Sequence, residues 1–225
     1  MKYNKFLFKN TLFLVILYVL SIAGTFLIHM FLLKDTPLKS LLLSTMQTSA
    51  WLITSYIFFI DMNNNMISRL IINGGSRSGI WLSKGLAVII AAVMMTAVQA
   101  AAIIIDNGSL KGCYESLFNV SVLTLLVTLF LGTLTALLCV LIKNMSVVII
   151  LIFAYVSPWT YSLVANYCEK SSSYIIKNNP FYSLLKMSNT GTFDKTGMIG
   201  CCLTGAVLWL ISFVIMQRKE LKEDN

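Results

Sequence analysis

Gly74 and Gly79 carry the spacing of the two glycines of a phosphate-binding loop. Such a loop needs Lys and then Ser or Thr directly after the second glycine, to hold phosphate and Mg²⁺. Ile80 and Trp81 stand there instead, and neither can do this. If ATP drives this protein, another subunit must bind the ATP and Mg²⁺. Other catalytic residue types are as sparse. His29 is the one histidine. It falls near the end of an apolar run, where a lone histidine reads as a polar interfacial residue rather than a ligand. The five cysteines are Cys113, Cys139, Cys168, Cys201 and Cys202, with no Cys-x-x-Cys pair among them. Cys139, Cys201 and Cys202 lie in apolar runs and read as small hydrophobes. Cys113 and Cys168 fall in connecting segments, where pairing between them stays open. No catalytic residue, metal-ligand set or cofactor site is identified, so an enzyme is not the expectation.

The surroundings of these residues come from composition. The chain has 225 residues, 57% hydrophobic and 12% charged, with a mean hydropathy of +0.81. A soluble chain of this length needs more polar residues to cover its outside. The class expected is an all-α polytopic membrane protein, a single transmembrane domain over 1–225. The net charge of +8 reads as Lys and Arg at span ends. No basic face with interleaved aromatics appears, so nucleic acid is not an expected partner.

A bilayer core needs about 20 apolar residues per helix. Six segments qualify: roughly 11–33, 40–60, 84–105, 117–142, 146–167 and 196–216. The first is too long for a cleavable signal and no small-residue cleavage site follows. With the N-terminus inside, ten of the 17 Lys and Arg fall inside, including Arg69, Arg77 and Arg218. Both termini are therefore expected in the cytoplasm. The opening "MKYNKFLFK" places Lys2, Lys5 and Lys9 on one helical face. It fits a short interfacial helix, or equally a plain flank of the first span. The loop before the last span contains "YIIKNNPFYSLLKM". Its apolar residues predict short helices dipping into the outer boundary, with their backbone covered by protein.

Charged residues are absent from the middle of every span, which counts against an ion-coupled carrier. Gln47, Gln99 and the Ser and Thr residues are expected to bond helix to helix. Gly132 and Ala136 form a small-x-x-x-small pair that permits close approach.

One polar segment interrupts the apolar pattern: "DMNNNMISRLIINGGSRSGIWLSKG", Asp61 to Gly85. Met62, Met66, Ile67, Leu70 and Ile71 recur at helical spacing, opposite Asn65, Ser68, Arg69 and Asn73. Gly74 and Gly75 supply a helix stop, and Ser76 can cap the next helix, which runs into the third span. The pattern predicts a short helix, ~16 Å long for eleven residues, a sharp turn and a long helix. It fits a lever welded to the third span, or an amphipathic loop helix that caps the bundle.

The segment resembles the region after the second span in ABC-2 type permeases, the membrane subunits of many bacterial ABC exporters. The likeness rests on Asp61 at an acidic position, Asn64-Asn65-Met66 near a polar triplet, the apolar-basic run with Arg69, the turn Gly74-Gly75-Ser76-Arg77, and Lys84 opening the third span. Two positions depart from the family pattern. Asp61 replaces the commoner Glu, and Asn65-Met66 replaces Gly-Thr. The resemblance extends to the six-span layout with a long outer loop before the last span.

The resemblance implies a coupling helix docked on a separate ABC ATP-binding subunit. Asp61, Arg69, Asn73, Gly74, Gly75, Ser76, Arg77 and Lys84 would be the ATPase-coupling residues. A second permease copy, or a paralogous permease, would complete the path in the cytoplasmic membrane. Small size and minimal soluble parts look most like subunits that handle antimicrobial peptides, as in lantibiotic self-protection or toxin export. Peptide or lipid-like cargo would then enter from the bilayer. The competing expectation is a membrane sensor or scaffold that recruits a cytoplasmic partner through residues 61–85.

Overall fold

A computed structural model of the chain describes residues 2–31, 38–63, 76–107, 114–142, 144–171 and 173–218. Among the described residues the protein is all-helical. The elements are α1 (Lys2–Phe31), α2 (Leu38–Asn63), α3 (Arg77–Asn107), α4 (Tyr114–Leu141), α5 (Met145–Val156), α6 (Pro158–Lys170), α7 (Tyr174–Lys177), α8 (Pro180–Thr190) and α9 (Lys195–Arg218).

Among the described residues, four helical segments are long and apolar enough to cross a membrane: Leu12–Phe31, Arg77–Asp106, Tyr114–Leu141 and Lys195–Arg218. A bent pair, α5 with α6, makes a fifth if the two count as one span. These helices carry outward-facing Phe13, Leu20, Leu82, Leu86, Val93, Leu203 and Leu210. Apolar surface of that extent is compatible with a multi-pass membrane protein.

The expected second span differs for a physical reason. α2 has 26 residues, so length is sufficient, but Gln47, Thr48, Ser49, Thr54 and Ser55 lower its hydropathy. It lies among the other helices and touches α1, α3, α4, α5 and α8. Three of its side chains bond to those neighbours. Thr45 and Thr25 of α1 bond through their hydroxyls at 3.0 Å. Trp51 Nε1 donates to the Ile149 carbonyl of α5 at 3.1 Å, and Gln47 Nε2 to Ser188 Oγ of α8 at 2.7 Å. A helix that packs against helices can carry side-chain polarity that a lipid-facing one cannot.

α4 shares this centre and packs against α2, α3 and α9. Gly132 and Ala136 serve it as the small-residue pair predicts. A Cβ on Gly132 would lie 2.5 Å from Val88 Cγ1, so its absence lets α3 and α4 approach. Gln99 of α3 is fully buried and ties three helices. Its Nε2 donates to the Leu42 carbonyl of α2 at 3.0 Å, and its Oε1 accepts from Thr124 of α4 at 3.2 Å.

Three expected boundaries move. α1 is one helix from Lys2, without a break separating an N-terminal interfacial piece. α2 continues to Asn63, so Asp61 and Met62 belong to its last turn rather than to a following short helix. The expected span 146–167 bends by 57° between Val156 and Pro158. Proline lacks the N–H for a continuing helix and drives the residue before it out of the helical region. Ser157 accordingly adopts φ −66° and ψ 143°, and its side chain accepts from Thr160 N–H to cap α6.

The short helices expected before the last span are present as α7 and α8. Asn179 caps α8 and Pro180 opens it, while Gly191 closes it at φ 65°. One face of α8, with Tyr182, Leu184, Leu185 and Met187, is buried against α2, α4, α6 and α9.

Candidate functional site

Where α2 ends and α3 begins, polar and aromatic side chains converge on the first turns of α3. Ser76 sets the start. Its Oγ accepts from the Gly79 N–H at 3.1 Å, while its carbonyl accepts from Ile80 N–H at 3.1 Å. This is an N-cap serving the N3 donor, as the sequence predicts. Gly79 fits tightly here, because a Cβ would come within 2.7 Å of Ser76 Oγ.

Arg77, Trp81, Lys84 and Val88 follow at a spacing that keeps them near one face of α3. Arg77 is half-buried, and its Nη1 donates to the Gln217 carbonyl at 3.0 Å. Gln217 lies in the last turn of α9, where backbone carbonyls lack helical donors and the helix dipole favours a cation. Trp81 is buried between two aromatic partners. It stacks on Trp209 of α9 at a centroid distance of 5.6 Å and meets Phe58 of α2 edge-on, also at 5.6 Å. Gly85, one turn on, leaves room for the Trp209 ring. A Cβ there would sit 2.7 Å from Trp209 Cζ2.

Lys84 is fully buried, with 0% of its surface exposed. Its ammonium donates to the Ile57 carbonyl of α2 at 3.1 Å and lies 4.9 Å from the centre of the Phe58 ring. A charge-assisted hydrogen bond and a ring face both favour the cation in a place that burial alone would penalise. Arg77 therefore ties α3 to α9, Lys84 ties it to α2, and Trp81 fills the space between.

The expected coupling residues separate into three groups. Ser76, Arg77 and Lys84 are brought together on the opening turns of α3. Asp61 lies on the last turn of α2, which faces the same connection. Arg69, Asn73, Gly74 and Gly75, with the short helix predicted for that segment, lie outside the described residues. Lys84 is enclosed by the bundle, so any effect on a partner would pass through helix positions rather than through its own contact.

Sequence reading missed Phe58, Trp81, Trp209 and the Gln217 carbonyl as parts of this cluster. The two tryptophans sit at helical spacing with apolar neighbours, so each reads as ordinary core, and a main-chain acceptor leaves no sequence signal. The Trp81 indole N–H and the Gln217 amide nitrogen are buried without a hydrogen-bond partner among the described residues.

Elsewhere, His29 lies in the last turn of α1. Cys139, Cys168 and Cys201 are buried and Cys202 is exposed, with no disulfide among the described residues, while Cys113 lies outside them. A lateral apolar groove of about 540 Å³ runs between α3, α4 and α9, lined by Gly85, Gly132, Gly205 and Trp209 among others. Comparison with models of known protein families and with curated proteins found no match.

Proposed function

We propose that the chain is the membrane-spanning permease subunit of an ATP-driven exporter of the ABC-2 type, moving hydrophobic or amphipathic peptides. A separate ABC subunit binds the ATP and Mg²⁺ and engages the 61–85 connection. The bundle in this reading crosses the cytoplasmic membrane six times, with α2 and the bent α5–α6 pair as its second and fifth spans. Both termini are cytoplasmic, and a second permease completes the path.

The observation that supports this reading best is the attachment of α3 directly after the connection. Arg77 and Lys84 hold its opening turns to α9 and α2. A push on residues 64–75 would then be passed to three helices at once, as a coupling element requires.

The test is purification of the tagged chain from its native membrane, identification of any co-purifying ABC ATPase, and assay of the reconstituted complex. An exporter shows vanadate-sensitive ATP hydrolysis that falls when Arg69 and Arg77 are both replaced by Ala. Unchanged hydrolysis and unchanged complex formation in that double variant would overturn the coupling assignment. Stable association with a cytoplasmic protein that hydrolyses no ATP would support the sensor or scaffold reading instead.

A further inference from the structure

The cavity at the opposite end of the bundle belongs to none of the features above. It measures about 580 Å³ and lies among α6, α7, α8 and the residues leading into α9. Glu169, Lys177, Lys186 and Asp194 bring two positive and two negative charges to its wall.

The four charges differ in how they are engaged. Asp194 caps α9, its two carboxylate oxygens accepting from the N–H groups of Thr196 and Gly197 at 3.1 Å each. Glu169 accepts from the Tyr182 hydroxyl through Oε1 at 3.1 Å. Burial, and then the neighbouring Glu169, raise the Tyr182 phenol above its ordinary value, so it stays the donor at neutral pH. Glu169 Oε2 has no hydrogen-bond partner among the described residues. Lys177 and Lys186 are exposed residues whose ammonium groups have no hydrogen bond or ion pair among the described residues. The cavity thus offers two available cations and one available carboxylate oxygen.

Its rim is apolar and aromatic. Tyr174 on the cavity wall is 73% exposed, and the next residue along α7, Ile175, is 81% exposed. An exposed Tyr beside Lys fits a membrane–water boundary, with the ring at headgroup depth.

We propose that this cavity binds the phosphoethanolamine headgroup of a membrane lipid. Lys177 and Lys186 take the phosphate, Glu169 takes the ammonium with the Tyr174 ring beside it, and the acyl chains lie along Ile175. The lining balances two positive charges with two negative ones, which complements a headgroup of net zero charge. A headgroup with phosphate and hydroxyls alone leaves Glu169 facing like charge. An unmodified peptide carries no phosphate, nor does it bring acyl chains to lie along Ile175. The inference rests on the reading of this bundle as membrane-spanning.

The test uses the full chain in nanodiscs of equal phosphatidylethanolamine and phosphatidylglycerol, with retained lipid counted by native mass spectrometry. Phosphatidylethanolamine is expected to be retained about fivefold over phosphatidylglycerol, the scale of one exposed charge pair. The double variant Lys177→Gln with Lys186→Gln loses that retention while its helical circular dichroism is unchanged. Glu169→Gln shifts retention toward phosphatidylglycerol. Equal retention of the two lipids by the unmodified chain, or unchanged retention of phosphatidylethanolamine in the double variant, overturns the proposal. Displacement of the lipid by trialanine reassigns the cavity to peptide and also overturns it. A chain that does not enter the nanodisc bilayer contradicts the membrane reading itself, which separates that failure from the failure of the headgroup site.

Discussion

The guanidinium of Arg77 donates to the main-chain carbonyl of Gln217 at 3.0 Å, joining the first residue of α3 to the last turn of α9. A carbonyl at a helix C-terminus lacks a helical donor, so a cation there satisfies an orphan acceptor and opposes the negative end of the dipole. Replacing Arg77 by Ala is expected to lower unfolding stability by about 1.5–3 kcal/mol, the range for a hydrogen bond to a charged group. Replacement by Lys should recover part of this. Thermal unfolding of the purified variants in detergent measures both, and an Ala variant as stable as the parent would show that the contact does not stabilise the fold.

Lys84 should be the more costly position. Lys84→Ala removes the hydrogen bond to Ile57 and the contact with the Phe58 ring, and leaves a cavity in a fully buried site. The expected loss is about 3 kcal/mol or more. Lys84→Arg should also destabilise, because a larger planar group must fit where no surface is exposed. Urea or thermal unfolding of the two variants compares them, and an Arg variant with parental stability contradicts the tight enclosure.

Gly132→Ala places a Cβ 2.5 Å from Val88 Cγ1. Valine is stiff about its first side-chain torsion, so α3 and α4 must separate slightly. Overpacking of this kind costs about 1–3 kcal/mol. A cysteine pair introduced across the α3–α4 contact should cross-link more slowly in the Ala variant, and equal rates would show that Val88 moves aside freely.

Gly191 ends α8 in the left-handed region at φ 65°, with its N–H donating to the Met187 carbonyl at 2.9 Å. A side chain with a Cβ is strained there by about 1–2 kcal/mol. Gly191→Ala should therefore destabilise the protein more than Gly191→Asn, since Asn tolerates this conformation better. Paired melting temperatures decide, and the reverse order would contradict the left-handed cap.

Much of the local structure is legible in the residues. Ser76 sits before an apolar periodic run with Gly79 behind it, and it caps α3. Gly132 and Ala136 predict a close helix approach, and Val88 fills it. Gln47 and Gln99 predict bonds between helices, and Gln47 makes one and Gln99 two. These features follow from a single helix's own period and chemistry, which the sequence carries directly. Pro158 was visible too, but the long apolar run around it reads as one unbroken span. The backbone restriction at Ser157 and the missing N–H at Pro158 override that run.

By itself the sequence determined an all-helical chain rich in apolar surface, the start of α3 at Ser76, and the absence of the phosphate-loop lysine after Gly79. Only the tertiary structure decided that Arg77 meets Gln217, that Lys84 reaches Ile57 and Phe58, and that Trp81 stacks on Trp209. The reason is physical. Helix period fixes which side chains share a face, but it does not fix which neighbour that face meets. The neighbour is set by the packing of α2, α3 and α9 together, and in two of these three contacts the acceptor is a backbone carbonyl that every residue possesses.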